Sequence, residues 1–284
     1  MSLGAVFLAL GIGVLLGVAI GENGVMSGAS KNLEKSLRGD LNNARSTNSD
    51  LRRQLAIRDE YEQQAYEPLV KDLLSGWRVG VVAMGGLPGG YAGQVSDAIE
   101  PAGATVDSVS VIQSPLPLGR LASEMKGTKL GRLDRSMDQV QRFGRRIGRQ
   151  LIDGGNLVGR LRHDLFSGSR GEYRGLDGVV YVRDSNSLDG RDKQAQDQFE
   201  TGLLEGFKDT HSGLVGAETT QTDASQAGFL ADQGVASVDD LDLTAGKTAV
   251  VCVFADGGSG QFGVKDSAQH LLPKPPDQGT AQRP

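Results

Sequence analysis

The start of the chain constrains its fold most, because residues 2–21 carry no charged side chain and the first charge is Glu22. A run of about 20 apolar residues is long enough, as one helix, to cross a lipid bilayer. We therefore predict a single-pass transmembrane anchor over residues 1–22, with the rest of the chain tethered to a membrane. The run is apolar on every face, which argues against a helix that packs on one side of a domain.

A cleaved signal peptide is the alternative interpretation of the same run. Such a peptide has a basic start, an apolar stretch of about 7–15 residues and a cleavage site with small residues. Here no Lys or Arg precedes the run, the run is longer, and residues 18–22 form a poor cleavage site. These differences favour an anchor that stays attached.

Small residues occupy every fourth position of the run and would form one stripe along a helix. They are Ala5, Ala9, Gly13, Gly17 and Gly21. Small side chains at this spacing let two helices approach closely in lipid. The stripe predicts self-association of the anchor, while the simpler alternative is that glycine is common in membrane helices.

Residues 30–72 are polar and contain a repeat with alternating steps of four and three. Its members are Leu37, Leu41, Ala44, Asn48, Leu51, Leu55, Arg58, Glu62, Ala65 and Leu69. This is the spacing of core positions in a coiled coil, in which polar core residues weaken the seam but can fix its register. We predict a parallel dimer, with a solvated single helix as the alternative, and expect Pro68 to close or kink the helix.

Residues 77–272 alternate between short β-branched runs and amphipathic stretches. The predicted strands are 78–84, 104–112, 178–183, 213–218 and 248–254, and the longest predicted helices are 133–152 and 191–208. A strand, a glycine-rich turn, a helix and a second strand form a βαβ unit, which implies a parallel sheet. We predict an α/β class with a Rossmann-like three-layer domain and a mostly parallel sheet. Residues 113–130 read as a loop, and 273–284 as a disordered tail.

Composition excludes several classes of function. The net charge of −5 gives no reason to expect a nucleic-acid partner. Cys252 is the single cysteine of the chain, so an intrachain disulfide and a multi-cysteine metal site are both excluded.

Two segments at opposite ends of the chain are distinctive. The first is SLGAVFLALGIGVLLG at residues 2–17, and the second is SVDDLD at 237–242, followed by GQFGV at 260–264. With the coiled coil and the α/β domain between them, they resemble the MctB-type copper-transport proteins of actinobacteria (mycobacterial copper transport protein B). The resemblance extends over nearly the whole chain, although its middle part is divergent.

This resemblance implies a role in copper homeostasis, as copper efflux or maintenance of low intracellular copper, and a location in the cell envelope. Members of the family usually carry a short basic lead before the apolar opening, so we expect the natural chain to start earlier. With that lead, the N-terminus would be cytoplasmic and the α/β domain extracytoplasmic. Relatives often place His and Tyr where this chain has Gln261 and Phe262, which weakens the case for a copper ligand there.

Copper enters as a cofactor or cargo only through this resemblance. Cu(I) prefers sulfur ligands and Cu(II) prefers imidazole. The available side chains are Cys252, His163, His211, His270 and five methionines, and none of them form a pair at metal-ligand spacing. Because Cys252 lies in a predicted apolar strand, it reads as a small core residue. We therefore predict no tight copper site, and the metal ligands remain unknown.

Other chemistry is weakly indicated. The glycine-rich stretch 85–90 lacks the spacing of a dinucleotide-binding loop, so a plain tight turn is the better interpretation. Asp239, Asp240 and Asp242 could bind a hard cation, but three acids on a loop more often cap turns and helices. No nucleophile and base occur in a recognisable arrangement. We therefore predict no catalytic residues and no enzyme.

A basic stretch is more suggestive of a partner. Residues 120–162 contain eleven Lys or Arg against four acids. The predicted helix 133–152 presents Arg142, Arg145, Arg146 and Arg149. Such a face could contact anionic lipid headgroups or an acidic partner. It could equally be a solvated helix face whose arginine stems cover the sheet.

A single predicted span constrains the mode of transport. A helical channel needs several membrane helices, so a chain with one span would have to oligomerise to conduct copper. An accessory role in copper homeostasis therefore fits the residues better. The alternative function is a structural coiled-coil scaffold or interaction module of the envelope without transport activity.

Overall fold

A computed structural model describes residues 3–22, 25–184, 188–223 and 225–274. The chain divides into two compact units, Met1–Glu62 and Gln63–Pro284. The predicted disordered tail lies outside the described residues from position 275 onward.

The first helix, α1, spans Leu3–Glu22. The prediction of a transmembrane anchor over residues 1–22 is wrong, because no helix within the described ranges is long and apolar enough to cross a membrane. Of the predicted stripe, Gly13 and Gly17 face open space, while the side chains of Ala5 and Gly21 lie outside the described residues.

The second helix, α2, spans Val25–Val70 and contains almost all of the predicted coiled-coil segment. Every residue from 31 to 61 is exposed. Pro68 lies in the last turn, where the helix continues for two more residues before it ends. Only the last turns of α2 belong to the second unit, where Tyr66 and Val70 are buried.

The second unit is built on a sheet that has seven strands in the described part of the chain, in the order β3-β2-β1-β4-β5-β6-β7. The strands are β1 Arg78–Met84, β2 Thr105–Ile112, β3 Phe166–Gly171, β4 Gly178–Arg183, β5 Gly213–Ala217, β6 Ala236–Val238 and β7 Gln261–Phe262. Neighbours among these strands are parallel except β2 and β3, which are antiparallel. The prediction of an α/β domain with a mostly parallel sheet is confirmed.

Helices cover both faces of this sheet. They are α3 Tyr91–Ile99, α4 Leu118–Glu124, α5 Met137–Asp153, α6 Asn156–Arg160, α7 Arg162–Leu165, α8 Gly190–Lys208, α9 Ala227–Asp232 and α10 Thr244–Asp256. One core lies under α5 and α8, with Phe143 and Phe199 at its centre. The other lies under α3, α10 and the end of α2. Because both faces are covered, the strands read as continuous apolar runs.

The strand predicted at 248–254 is wrong, because these residues lie in helix α10. All seven of them are buried. A short run that is apolar on every side cannot be distinguished as strand or helix by periodicity alone. The predicted loop at 113–130 likewise contains helix α4.

Strand β3 escaped prediction because it is polar. It forms one edge of the sheet, and most of its residues are at least partly exposed. Arg162 donates hydrogen bonds to the Ser169 hydroxyl at 2.8 Å and to the Ser169 carbonyl at 3.0 Å. Glycine and serine do not produce the alternating apolar pattern by which a strand is recognised.

Helices α5 and α8 touch through their backbones. Gly144 and Gly148 of α5 lie against the backbone of α8, and Gly202 and Gly206 of α8 lie against the backbone of α5. A Cβ atom at Gly202 would overlap the carbonyl oxygen of Gln141, and one at Gly144 would overlap that of Phe199. Glycine at these four positions is therefore required by the close approach of the two helices.

We expect Gly202→Ala to lower the free energy of unfolding by about 3 kcal/mol, because overpacking forces the two helices apart. Urea denaturation followed by the fluorescence of Trp77, the single tryptophan, measures this change. The matched control is Gly93→Ala in α3, where a Cβ meets nothing within 4 Å. Alanine at that exposed helical position should stabilise by about 0.5–1 kcal/mol. Equal unfolding midpoints for the two variants would contradict the prediction.

Candidate functional site

The carboxyl ends of β1, β4 and β5 enclose a cavity of about 300 Å³. The chain leaves β1 toward β2 on one side and later returns to β4 on the other side, so the strand order reverses here. Open α/β sheets bind their ligands at such a point. We name this the switch-point cavity, and its lining includes Gly86, Tyr91, Arg183, Asp184, Glu218 and Thr222.

The glycine-rich stretch 85–90 is the connection from β1 to α3, as the interpretation as a tight turn requires. Gly86 lies against Asp184, because a Cβ at this position would be 2.6 Å from the Asp184 Oδ2 atom. The turn thus forms one wall of the switch-point cavity and positions Asp184 on the neighbouring strand end.

Arg183, at the end of β4, is the central cation of this edge. Its guanidinium donates to Asp197 and to Gln226, each at 2.7 Å. The Nε atom lies 2.7 Å from the Glu200 carboxylate. The Cζ atom of the guanidinium also lies 4.2 Å from the centre of the Phe229 ring. Arg183 is therefore held by four partners within its own domain.

Glu200 is fully buried beneath Arg183. The Tyr181 hydroxyl donates a hydrogen bond to its carboxylate at 2.7 Å. Burial raises the pKa of Glu200, and the neighbouring Arg183 and Tyr181 oppose this rise. Burial also raises the pKa of Tyr181 well above its ordinary value, and the Glu200 charge adds to it. The group is a coupled ion pair that is linked to a neutral tyrosine.

Glu218 and Tyr91, which also line the switch-point cavity, are bound within the chain. Lys265 reaches Glu218 at 3.2 Å and donates to the Thr222 carbonyl at 2.9 Å. The Tyr91 hydroxyl donates to the Ala217 carbonyl at 2.7 Å. The cavity is thus lined by groups that hold the strand ends together.

Sequence reasoning did not select Arg183, Glu200 or Glu218. Two of them could have been found by their position, because Arg183 and Glu218 lie at the ends of predicted buried strands. Glu200 carried no comparable signal, since it lies within an amphipathic helix whose buried face it shares with Phe199 and Leu203.

The SVDDLD segment joins the end of β6 to two loops. Asp239 accepts hydrogen bonds from the backbone N–H groups of Val264 at 2.8 Å and Lys265 at 3.3 Å. Asp242 accepts from the Thr220 backbone N–H at 2.7 Å and from its hydroxyl at 2.5 Å. These two carboxylates act as loop caps. Across the described residues, no group of three His, Cys, Asp or Glu is arranged to hold a metal.

Asp240, between these two caps, is different. Its side chain is fully buried against Gly246 in the first turn of α10, and neither carboxylate oxygen has a hydrogen-bond partner. Burial raises its pKa from 3.8 to about 6, and the charges of Asp239 and Asp242 add to the rise. An unpaired buried carboxylate destabilises the folded state whenever it is ionised.

The three histidines and the cysteine that could bind copper lie in different parts of the second unit. Cys252 on α10 and His270 line one cavity of about 480 Å³, together with Asp256. His163 in α7 and His211 after α8 are exposed elsewhere. Burial raises the pKa of the Cys252 thiol to about 11, with a smaller contribution from Asp256. The prediction that Cys252 lies in a strand is wrong, but it is a buried residue, as expected.

The predicted basic face of helix α5 is partly neutralised. Arg145 donates two hydrogen bonds to Asp209 at 2.6 Å and 2.7 Å, and Arg149 donates one at 2.8 Å. The hydrogen bond from Arg145 is the main reason that the pKa of Asp209 falls to about 2. Arg142 and Arg146 are exposed on the same helix. The contact of this face with an anionic partner stays a prediction, in which Arg142 and Arg146 are the two arginines that do not bind Asp209.

We expect Asp240→Asn to raise the free energy of unfolding at pH 8 by about 1–3 kcal/mol, since it removes a buried charge. Because the folded-state pKa is raised, Asp240 favours folding below pH 3.8, and this contribution is lost as pH rises through about 6. The gain from the substitution should therefore disappear near pH 4. Unfolding of both proteins in urea between pH 4 and pH 8 measures the difference.

The control is Asp239→Asn, one residue earlier. We expect it to destabilise the protein at pH 8, because the carboxylate there accepts backbone hydrogen bonds. Destabilisation by Asp240→Asn at pH 8 would show that the carboxylate has a stabilising partner, against the prediction.

We expect the folded protein to react with a thiol reagent about 100-fold more slowly at pH 8 than the unfolded protein, because burial raises the pKa of the Cys252 thiol from 9.0 to about 11 and lowers the thiolate fraction by that factor. Burial of Cys252, which is 6% exposed, slows the reaction further. The measurement is the rate of disulfide exchange with an aromatic disulfide, with and without urea. Equal rates would mean that the thiol is open and ionisable.

Residues 1–273 match the family described as "Copper transport outer membrane protein, MctB". No curated protein matches the chain significantly. The family match covers nearly the whole chain and confirms the resemblance seen in the opening and in the SVDDLD segment, so this chain belongs to the MctB copper transport outer membrane protein family.

Proposed function

We propose that this protein serves copper homeostasis at the cell envelope as an accessory or scaffold, without forming a copper channel by itself. The family match over residues 1–273 is the observation that carries the link to copper and to the envelope. The accessory role is supported by how the polar side chains are used. At the switch-point cavity, Arg183, Glu218 and Lys265 are engaged in hydrogen bonds that hold strand ends together.

The engagement of these polar side chains within the fold also supports a role without catalysis. A catalytic acid or base has to be free to exchange a proton with its substrate. Glu200 lies in an ion pair with Arg183, and Tyr91 donates to a backbone carbonyl. These groups hold the edge of the sheet together. In this proposal, copper is the substrate of the transport system in which the protein participates.

A structural scaffold without a copper role is the second candidate. Helix α2 favours it, because residues 31–61 are all exposed in their own chain. A long helix that presents an apolar repeat is suited to hold an α/β module in an assembly. Both candidates use the same parts of the chain and differ in whether copper levels depend on them.

We expect cells that lack this gene to contain more copper and to be more sensitive to added copper. Elemental analysis of deletion, wild-type and complemented cells at matched growth measures this, with zinc and manganese as controls for general leakiness. Unchanged copper with an altered envelope would favour the scaffold, and a parallel rise of all three metals would contradict a role specific to copper.

Complementation with a Cys252→Ser/His270→Ala variant then tests whether the protein binds the metal itself. We expect this variant to restore wild-type copper levels, because the Cys252 thiol is buried and disfavours the thiolate that copper requires. Loss of complementation by a variant that is present at the normal level would show direct ligation of copper.

A further inference from the structure

Helix α2 exposes a row of leucines that its own chain does not cover. Leu37, Leu41, Leu51 and Leu55 are between 48% and 59% exposed. Helices in water take most of their stability from packing of an apolar face rather than from intrinsic propensity. The segment 31–61 therefore requires a partner that covers this row.

We propose that the partner is a second copy of this chain, and that the two α2 helices form a parallel, in-register coiled coil over residues 37–55. This inference is independent of the copper proposal. The spacing assigns Leu41, Asn48 and Leu55 to the a positions of the heptad and Leu37, Ala44 and Leu51 to its d positions. Such a seam buries its leucines in holes formed by the facing helix.

Asn48 sets the register of the parallel pair. A single asparagine at an a position specifies register and oligomer state, at a cost in stability, because it is satisfied only by the same residue of the other helix. Equivalent residues lie side by side along the whole seam only when the helices are parallel and in register. Shifting one helix by a heptad would instead place Asn48 against a leucine and leave its amide unpaired.

Charges beside the seam agree with this arrangement. In a parallel coiled coil, a g residue faces the e residue of the next heptad on the other helix. This places Asp40 opposite Arg45 of the partner subunit, and the pair occurs twice by symmetry. An antiparallel pair centred on Asn48 would bring Asp40 to the level of Ala56 and lose both contacts.

The seam ends where charged core positions begin. Arg58 and Glu62 occupy the next d and a positions, and they pair with each other along the helix at 3.4 Å. Farther along α2, Tyr66 is buried in the α/β domain of its own chain, and its hydroxyl donates a hydrogen bond to the Ala98 carbonyl. Residues beyond Glu62 thus belong to the domain, and the apolar seam is about 28 Å long at 1.5 Å per residue.

Cysteine crosslinking of the full-length chain tests the proposal. In a Cys252→Ser background, Leu51→Cys places a thiol at a d position, where it meets its counterpart only in a parallel, in-register pair. Arg53→Cys, two residues later, places the thiol on the outer face of the same helix. Under mild oxidation we expect rapid disulfide dimers for Leu51→Cys and slow, concentration-dependent ones for Arg53→Cys. Equal rates for the two variants would overturn the proposal. An antiparallel pair would keep the Leu51→Cys thiols apart and give this same result.

A second variant covers the case in which Leu51→Cys weakens the seam. Asn48→Leu replaces the polar core layer, so we expect a higher melting temperature of α2 by circular dichroism and a mixture of oligomers in sedimentation equilibrium. The unsubstituted chain should sediment as a dimer. A monomer for the unsubstituted chain, or no change in the Asn48→Leu variant, would overturn the assignment of the partner and of the role of Asn48.

Discussion

The α/β domain depends on the backbone contact between α5 and α8. Because glycine occupies both sides of the crossing, the two helices approach until main-chain atoms touch, and they cover one face of the sheet as a unit. The same closeness lets Arg145 and Arg149 of α5 reach Asp209, directly after α8. Two of the four arginines that were predicted to face an anionic partner thus form ion pairs within the chain, because the two helices lie so close together.

The amount of structure that could be predicted differs between the strands. Buried central strands such as β1 and β4 are recognisable because long β-branched runs occur between glycine-rich turns. Helix α10 is not, since a run of valines buried on every side satisfies the rule for a central strand as well. The apolar start was judged by its lack of charge, but no helix among the described residues is both long and apolar enough to cross a membrane.

The candidate site was harder to predict than the fold. Arg183, Glu200 and Tyr181 come from a strand and a helix, and only the tertiary structure places them within hydrogen-bond distance. By contrast, the SVDDLD segment was recognisable, yet its three acids have separate tasks. Asp239 and Asp242 cap loops, and Asp240 is buried without a partner. Spacing alone cannot separate these roles, because each depends on the backbone that faces the carboxylate.

The polar edge strand β3 affects how readily the sheet could pair with a strand of another chain. An exposed sheet edge is a template on which another chain can add a strand, and natural proteins block it with charge or coverage. Here the Arg162 guanidinium occupies the Ser169 carbonyl, and β3 itself offers mainly glycine and serine to a neighbour. This edge of the sheet is therefore a poor template for a strand from another chain.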